Sequence, residues 1–497
     1  MPPRTPESAI DGEPAPARPA LPDEGVIRSG KLAGKTMWSA IAIVAMPILL
    51  QQTLAACVGL VDKLLAGNLP AATVKPALDG LGIGTFVGWF IMIAMTGLGV
   101  GAQAIIARAM GSGDRRESHT ALGQSMMLAF VWGIAVGVLM WISARPLAAL
   151  ASLSPEATHW CVVYVRTIAV VMPFCGVMTV GAMALHGAGE ATKPFLIAVL
   201  VNIVNTVVSW LASGVNISVH GHVIENPSGL DPAVWGVFGI SLGTAASYCV
   251  GALATIWILT RGVKDLRLER AGMRLDWHMT RRIVRVGVPN FFEGLVMWTV
   301  QLGVMLFIGM ADRLHGGEGG VIGAHMITVQ WEAFSFLPGF AMGTAAGAVA
   351  GQYLGARNPR LARRTIWACT FVGMAIMVSV GVVFMTAGTF LTSMISSEPV
   401  HLDLVPKTLF ICGIVQVFFA LAMVVRNGLR GVGDTVWLLA ITVFSCCLIR
   451  LPLAYVFGVV LDMGLPGIWI ALSIELSIRG LLFLARFVWG GWDRLKV

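Results

Sequence analysis

Glu293 is the one charged residue in GVPNFFEGLVMWTVQLGVMLFIGM (287–310), four positions after Pro289. Other ionisable side chains stand in similar apolar surroundings: Asp62, Glu332 inside QWEAFSF, and Arg166, Arg450, Glu475 and Arg479. A charge at a bilayer centre costs ~2.5–3.5 kcal/mol even on insertion scales, so each must meet a partner or a water-filled cavity. A carboxyl so placed can take up and release a proton near physiological pH. Asp62 has a blander reading as well, a pair with Lys63 or a helix end. Glu332 follows His325 by seven residues, on the same helical face two turns away. It either hydrogen-bonds Gln301 or Gln330, or shares a proton with Glu293, since close like charges do not both ionise cheaply. Glu475 and Arg479, four apart, satisfy each other. Arg450, before Pro452, is an interhelical tether.

The elements that position these groups must be membrane helices. Hydrophobic residues make up 57% of the 497-residue chain and charged ones 12%, against roughly 25% charged in an ordinary soluble protein. Apolar runs near the ~20 residues that cross a bilayer recur throughout. They place spans near 37–60, 81–108, 118–144, 160–186, 194–214, 234–260, 283–309, 321–354, 365–391, 405–428, 435–461 and 467–489. With both termini cytoplasmic, cytoplasmic segments hold 26 Lys and Arg and external ones five: Lys63, Lys75, Arg145, Arg313 and Lys407. That bias is what the positive-inside rule asks for. The formal net charge of +8 follows from it and calls for no nucleic acid.

The eight cysteines lack disulfide or zinc spacing and are small packing residues. Residues 1–34 begin with a proline-rich stretch that has no apolar h-region, so they form a disordered tail and not a signal peptide. The basic 261–285 segment lies against anionic headgroups, with a linker at 261–280. His220-Gly-His222 is a solvated loop before it is a metal site. The remaining histidines are scattered, without the grouping an enzyme needs, and no P-loop is present. The chain is therefore not expected to be an enzyme, and no cofactor or metal is called for.

The chain repeats itself. GVGAQAIIARAMGSGD (99–114) aligns with GTAAGAVAGQYLGARN (343–358) at an offset of 244, LHGAGE (185–190) and LRGVGD (429–434) share that offset, and Pro47 and Pro289 open the first span of each half. Six spans per half insert with one orientation, giving an all-α protein of two six-helix lobes, 35–260 and 281–492, about a pseudo-twofold axis along the membrane normal. Gly343, Gly347, Gly351 and Gly355 recur every four residues and let another helix approach closely. Asn358 and Pro359 suit a helix start.

From about residue 36 to 492 these motifs resemble the multidrug and toxic compound extrusion (MATE) transporters of the multidrug/oligosaccharidyl-lipid/polysaccharide exporter superfamily. The resemblance rests on Pro47 with Val61-Asp62, Gly111, Asn202-Ile203, Gly351-Gln-Tyr-Leu-Gly-Ala356, Leu429-Arg-Gly-Val-Gly-Asp-Thr435, Arg450-Leu-Pro-Leu-Ala-Tyr455, Gly467-Ile-Trp-Ile-Ala471 and Arg486-Phe-Val-Trp-Gly-Gly-Trp492.

It implies an inner-membrane, monomeric antiporter exporting amphipathic, often cationic molecules in exchange for H⁺ or Na⁺. Asp62 matches the family's coupling aspartate, with Asn202 and Thr244 at the accompanying oxygen-bearing positions. Thr206 replaces an expected second aspartate, which leans the first half towards protons. Glu293 and Glu332 are the acids expected to couple ions in the second half, although the best-known branches carry their span-seven glutamate where Met297 stands. Gln51, Met297, Trp298, Gln301 and Trp331, near Phe334 and Phe336, are candidates to line an aromatic cleft by cation–π contact, though plain packing explains the same spacing. The alternatives are a lipid-linked oligosaccharide flippase of the same superfamily, whose cleft is strongly cationic, and a multipass membrane enzyme.

Overall fold

The computed structural model describes residues 26–150, 153–219, 222–314 and 320–495. Ten helices in it are long and apolar enough to cross a membrane: Met37–Gly67 (span one), Ala71–Ser112 (two), Arg115–Leu150 (three), Thr192–Ser213 (five), Pro232–Arg261 (six), Trp277–Leu314 (seven), Val321–Gly355 (eight), Pro359–Ser393 (nine), Thr435–Val460 (eleven) and Gly464–Trp489 (twelve). Spans four and ten are bent pairs, Pro155–Val170 with Met172–Gly187 and Pro399–Ile414 with Gln416–Gly431. The twelve spans form two six-helix lobes.

The bends were not foreseen from the apolar runs, yet they obey the repeat. Span four turns by 59° at Val171 and span ten by 62° at Val415, 244 residues later. Pro173 explains the first, because its missing N–H and ring disfavour a continuous helix. The second has no proline at the break. There Gln416 donates Nε2 to the carbonyl of Cys412 at 3.1 Å and accepts from Ser335, so polar groups near the break keep partners.

Helix starts are legible. Asn358 caps the Leu361 N–H with Pro359 in the first turn, as expected, and Ser154 with Pro155 and Asp231 with Pro232 use the same device.

Both ends of the described chain lie at one face. Ser29 donates to the Met110 carbonyl at 2.6 Å, and Arg108 donates to the carbonyls of Val432 and Leu495. At this face the lobes close on each other. Val44, Ala45 and Ile48 of span one share a buried cluster with Ala345, Ala346 and Val349 of span eight. A Cβ on Gly111 would sit 1.9 Å from the Gln352 carbonyl oxygen, and one on Gly355 2.0 Å from that of Arg108. Spans two and eight therefore meet backbone to backbone, and only glycine fits. Gly343 and Gly347 pack on Asn427 and Gly431 of span ten.

Residues 26–34 do not hang free as the tail reading supposed. Leu32 is fully buried in the interlobe cluster, Gly30 N–H donates to Asp265, and Lys31 pairs with Glu190 at 3.0 Å. The rest of the expected tail, 1–25, lies outside the described residues, as do His220 and Gly221. The linker folds onto span three, where Gln124 donates to the carbonyls of Gly272 and Arg274. Between spans five and six the long loop contains an antiparallel hairpin, Ile217–Val219 with His222–Ile224. Seven cysteines are free among the described residues.

Candidate functional site

Two polar centres lie inside the bundle, one per lobe. In the first, Asp62 is 5% exposed, near the far end of span one. Its Oδ2 accepts from Tyr164 Oη of span four and Thr244 Oγ1 of span six, both at 3.2 Å. Asn205 Nδ2 of span five donates to Thr244 Oγ1 at 3.1 Å. The chain of donors runs from Asn205 through Thr244 to the carboxylate. Asp62 Oδ1 and Asn205 Oδ1 are both buried and have no hydrogen-bond partner. An unfilled acceptor is costly in low dielectric, so this pocket is suited to a proton or a cation. The pairing of Asp62 with Lys63 is not what the geometry shows.

Thr244 thus stands where expected, but Asn202 does not. Its Nδ2 donates to the Ala198 carbonyl of its own helix, and the residue that reaches the site is Asn205, one turn on. Tyr164 was not singled out from the sequence at all. Gln51 Oε1 accepts from His186 Nε2 at 3.1 Å, linking spans one and four.

The second centre is built on Glu293, whose side chain is fully buried. Its Oε1 accepts from Arg426 Nε at 2.6 Å and Thr442 Oγ1 at 3.1 Å, and its Oε2 from Arg430 Nη2 at 2.9 Å. Both oxygens are taken, so the suggested proton-sharing with Glu332 is corrected: arginines hold Glu293. Glu332 lies instead within electrostatic reach of Arg450 and Cys412. Gln301 does not bond Glu332 either; its Nε2 is 3.4 Å from His325 Nε2.

One turn further along, Arg450 Nε and Nη2 donate to Glu475 Oε2 at 2.9 and 2.6 Å. Arg479 Nε is 3.1 Å from Glu475 Oε1 but out of line for a hydrogen bond. The Glu475–Arg479 pair and the Arg450 tether are as expected. Arg479 Nη1 also points at Met297 Sδ and Cys446 Sγ, at 3.7 and 3.8 Å.

Local backbone geometry aims these arginines. The stretches Leu421–Val425 and Cys446–Arg450 are π-helical turns, which shift the helix phase before Arg426 and through Arg450. Arg426 and Arg430 had been counted with the cytoplasmic loop charges; the extended end of span ten turns them inward. The signal available in the sequence was Arg430 inside the repeated LRGVGD motif.

Of the proposed cleft residues, Trp298 meets Phe90 across the lobes edge-on, with ring centroids 6.4 Å apart, and Trp331 lies against Phe334 at 5.5 Å. The indole N–H of each tryptophan is buried without a partner. No group of three metal-ligating side chains occurs among the described residues.

Comparison with known proteins matches both halves. The MatE family model covers residues 47–211 and again 289–456. The chain is 25% identical over 453 residues to the probable multidrug resistance protein NorM of Thermotoga maritima, covering 91% of this chain and 92% of that one. It is 22% identical to the multidrug resistance protein MdtK of Yersinia pseudotuberculosis, covering 90% and 94%. Among solved structures, a MATE in the bent conformation superposes with a TM-score of 0.79 at 20% identity, covering 91% and 94% of the two chains. An outward-facing multidrug resistance MATE family transporter of the MOP superfamily gives 0.79 at 20%, covering 95% and 97%.

Proposed function

The chain belongs to the MatE family, and from that premise we propose that it is a secondary antiporter exporting small amphipathic molecules across the inner membrane by alternating access, driven by protons. The observation that carries the coupling is Asp62: a buried carboxylate with two hydroxyl donors on one oxygen and none on the other. It can take a proton on Oδ1 without breaking an existing bond. Among the described residues, Asn205, which donates to Thr244, has a further unfilled acceptor in Oδ1. Asp62 is the one carboxylate of this hydrogen-bonded group, and a single negative charge favours a proton over Na⁺, because hard cations favour charged oxygen ligands.

With both termini cytoplasmic, the face sealed by Gly111 and Gly355 is the cytoplasmic one. Protonation of Asp62 would remove its charge and free the spans around it to repack, releasing substrate and favouring the inward state. Being fully paired, Glu293 is assigned no coupling role. Its part is to hold spans seven, ten and eleven together.

Dye efflux from proteoliposomes tests the reading. An imposed pH gradient should drive efflux and an equal Na⁺ gradient should not. Asp62→Asn should abolish the pH-driven flux at unchanged protein yield; undiminished flux would refute the assignment.

A further inference from the structure

The charge balance of the second lobe points to a ligand of the opposite sign to the cation expected from sequence. Four guanidinium groups, Arg426, Arg430, Arg450 and Arg479, converge there on two carboxylates, Glu293 and Glu475. The two halves of the network are stacked. Glu293 and Met297 are one turn apart on span seven, Thr442 and Cys446 one turn apart on span eleven, and the contacts pair Glu293 with Thr442 and bring Arg479 to both sulfurs. Cys446 Sγ also lies 3.8 Å from Glu475 Oε1, which joins the layers. Even with Glu332 ionised near Arg450, positive charge is in excess.

The acceptors are exhausted before the donors are. A guanidinium carries five N–H groups. Arg426 donates only Nε to Glu293, and its two terminal nitrogens have no partner among the described residues. Arg430 Nε is buried and unpaired. Arg479 offers Nη1 to two sulfurs, which are weak acceptors. The side chains of Arg426 and Arg430 keep 12% and 14% of their surface accessible, so a ligand can reach them. An uncompensated charge in a low-dielectric interior costs several kcal/mol, which an entering anion would offset.

We propose that this arginine network binds the anionic group of an amphipathic ligand, a carboxylate, sulfonate or phosphate, with Arg426 and Arg430 as its direct donors and Met297, which touches Arg479, beside the apolar body. This rests on the export reading and specifies the substrate class for it. A phosphate could come from a lipid headgroup or from a free solute; the network recognises the same chemistry in either.

The test uses the purified full chain in phosphatidylcholine nanodiscs, with fluorescein as anionic probe and ethidium as cationic probe, read by fluorescence anisotropy. Fluorescein should bind, and Arg426→Gln and Arg430→Gln should each weaken it by about tenfold, the scale of one charge-assisted hydrogen bond, with ethidium unaffected. Should the glutamine variants fail to fold, Arg426→Lys and Arg430→Lys keep the charge but lose the planar fork, and each should still weaken fluorescein severalfold. No fluorescein binding to the wild type, unchanged affinity in the variants, or equal losses for both dyes would overturn the proposal. Replacing part of the lipid by phosphatidylglycerol separates the sources: competition with fluorescein identifies a headgroup as occupant, and no competition a solute, the anion site standing in both cases. Proteoliposomes that move ethidium while the protein ignores fluorescein would overturn the anion site and leave export intact. Fluorescein binding without transport of either dye would overturn export alone.

Discussion

Arg426 Nε donates to Glu293 Oε1 at 2.6 Å, tying the end of span ten to the middle of span seven. The bond changes what Glu293 is for. A lone carboxylate in a cleft invites a cation; one held by two arginines and a threonine is a structural anion at the centre of a positive cluster.

Removing that anion should therefore harm the fold before it harms specificity. Glu293→Gln leaves Arg426 and Arg430 facing an amide, and breaking a buried pair from one side costs about 3–5 kcal/mol. The thermal unfolding midpoint of the purified variant should fall clearly. In a double-mutant cycle, Arg426→Gln added to Glu293→Gln should cost less than the two changes summed. An unshifted midpoint for Glu293→Gln would show that the pair contributes nothing.

At the first-lobe site the expected pattern is different. Asp62→Asn keeps the shape and the hydroxyl donors nearby but cannot cycle between charge states. Folding and substrate binding should persist while pH-driven efflux disappears. Tyr164→Phe removes one of the two donors to Oδ2 and should slow efflux without abolishing it, by a few-fold on the scale of ~1 kcal/mol for one hydrogen bond. Initial efflux rates across a stepped pH gradient make the comparison.

The two asparagines of span five separate the structural reading from the one made on sequence. Asn205→Ala removes a donor to Thr244 and an unpaired oxygen beside Asp62, whereas Asn202→Ala removes only a bond to its own helix. Efflux should drop several-fold in the first, about the effect of ~1 kcal/mol, and stay near wild type in the second. Equal effects would mean that span five sits in another rotation.

The closed face depends on close backbone approach. Gly355→Ala puts a methyl group 2.0 Å from the Arg108 carbonyl oxygen, and overpacking of this kind costs about 1–3 kcal/mol. The strain should part spans two and eight. A cysteine placed at the fully buried Ala109 should then react faster with a membrane-impermeant maleimide added to the face that carries the chain termini. No gain in labelling would mean that the seal tolerates the methyl group.

Much of this protein was determined by its sequence alone. Hydropathy located the spans, because a helix in lipid must satisfy its own backbone and cover it with apolar side chains, which is a local demand. The offset of 244 between the halves implied two lobes, and both bends at Val171 and Val415 keep to it. The acids at Asp62 and Glu293 stood out because a charge in an apolar run always needs a reason. What they touch was decided only in three dimensions. Helical periodicity says which residues share a face and is silent on which neighbour that face meets. Asn205 prevailed over Asn202 through the rotation of span five against span six. Arg426 and Arg430, counted with the loop charges, became the partners of Glu293 because a π-turn and a bent span ten carried them inward. Such pairings join residues more than a hundred positions apart, and long-range packing alone selects among them.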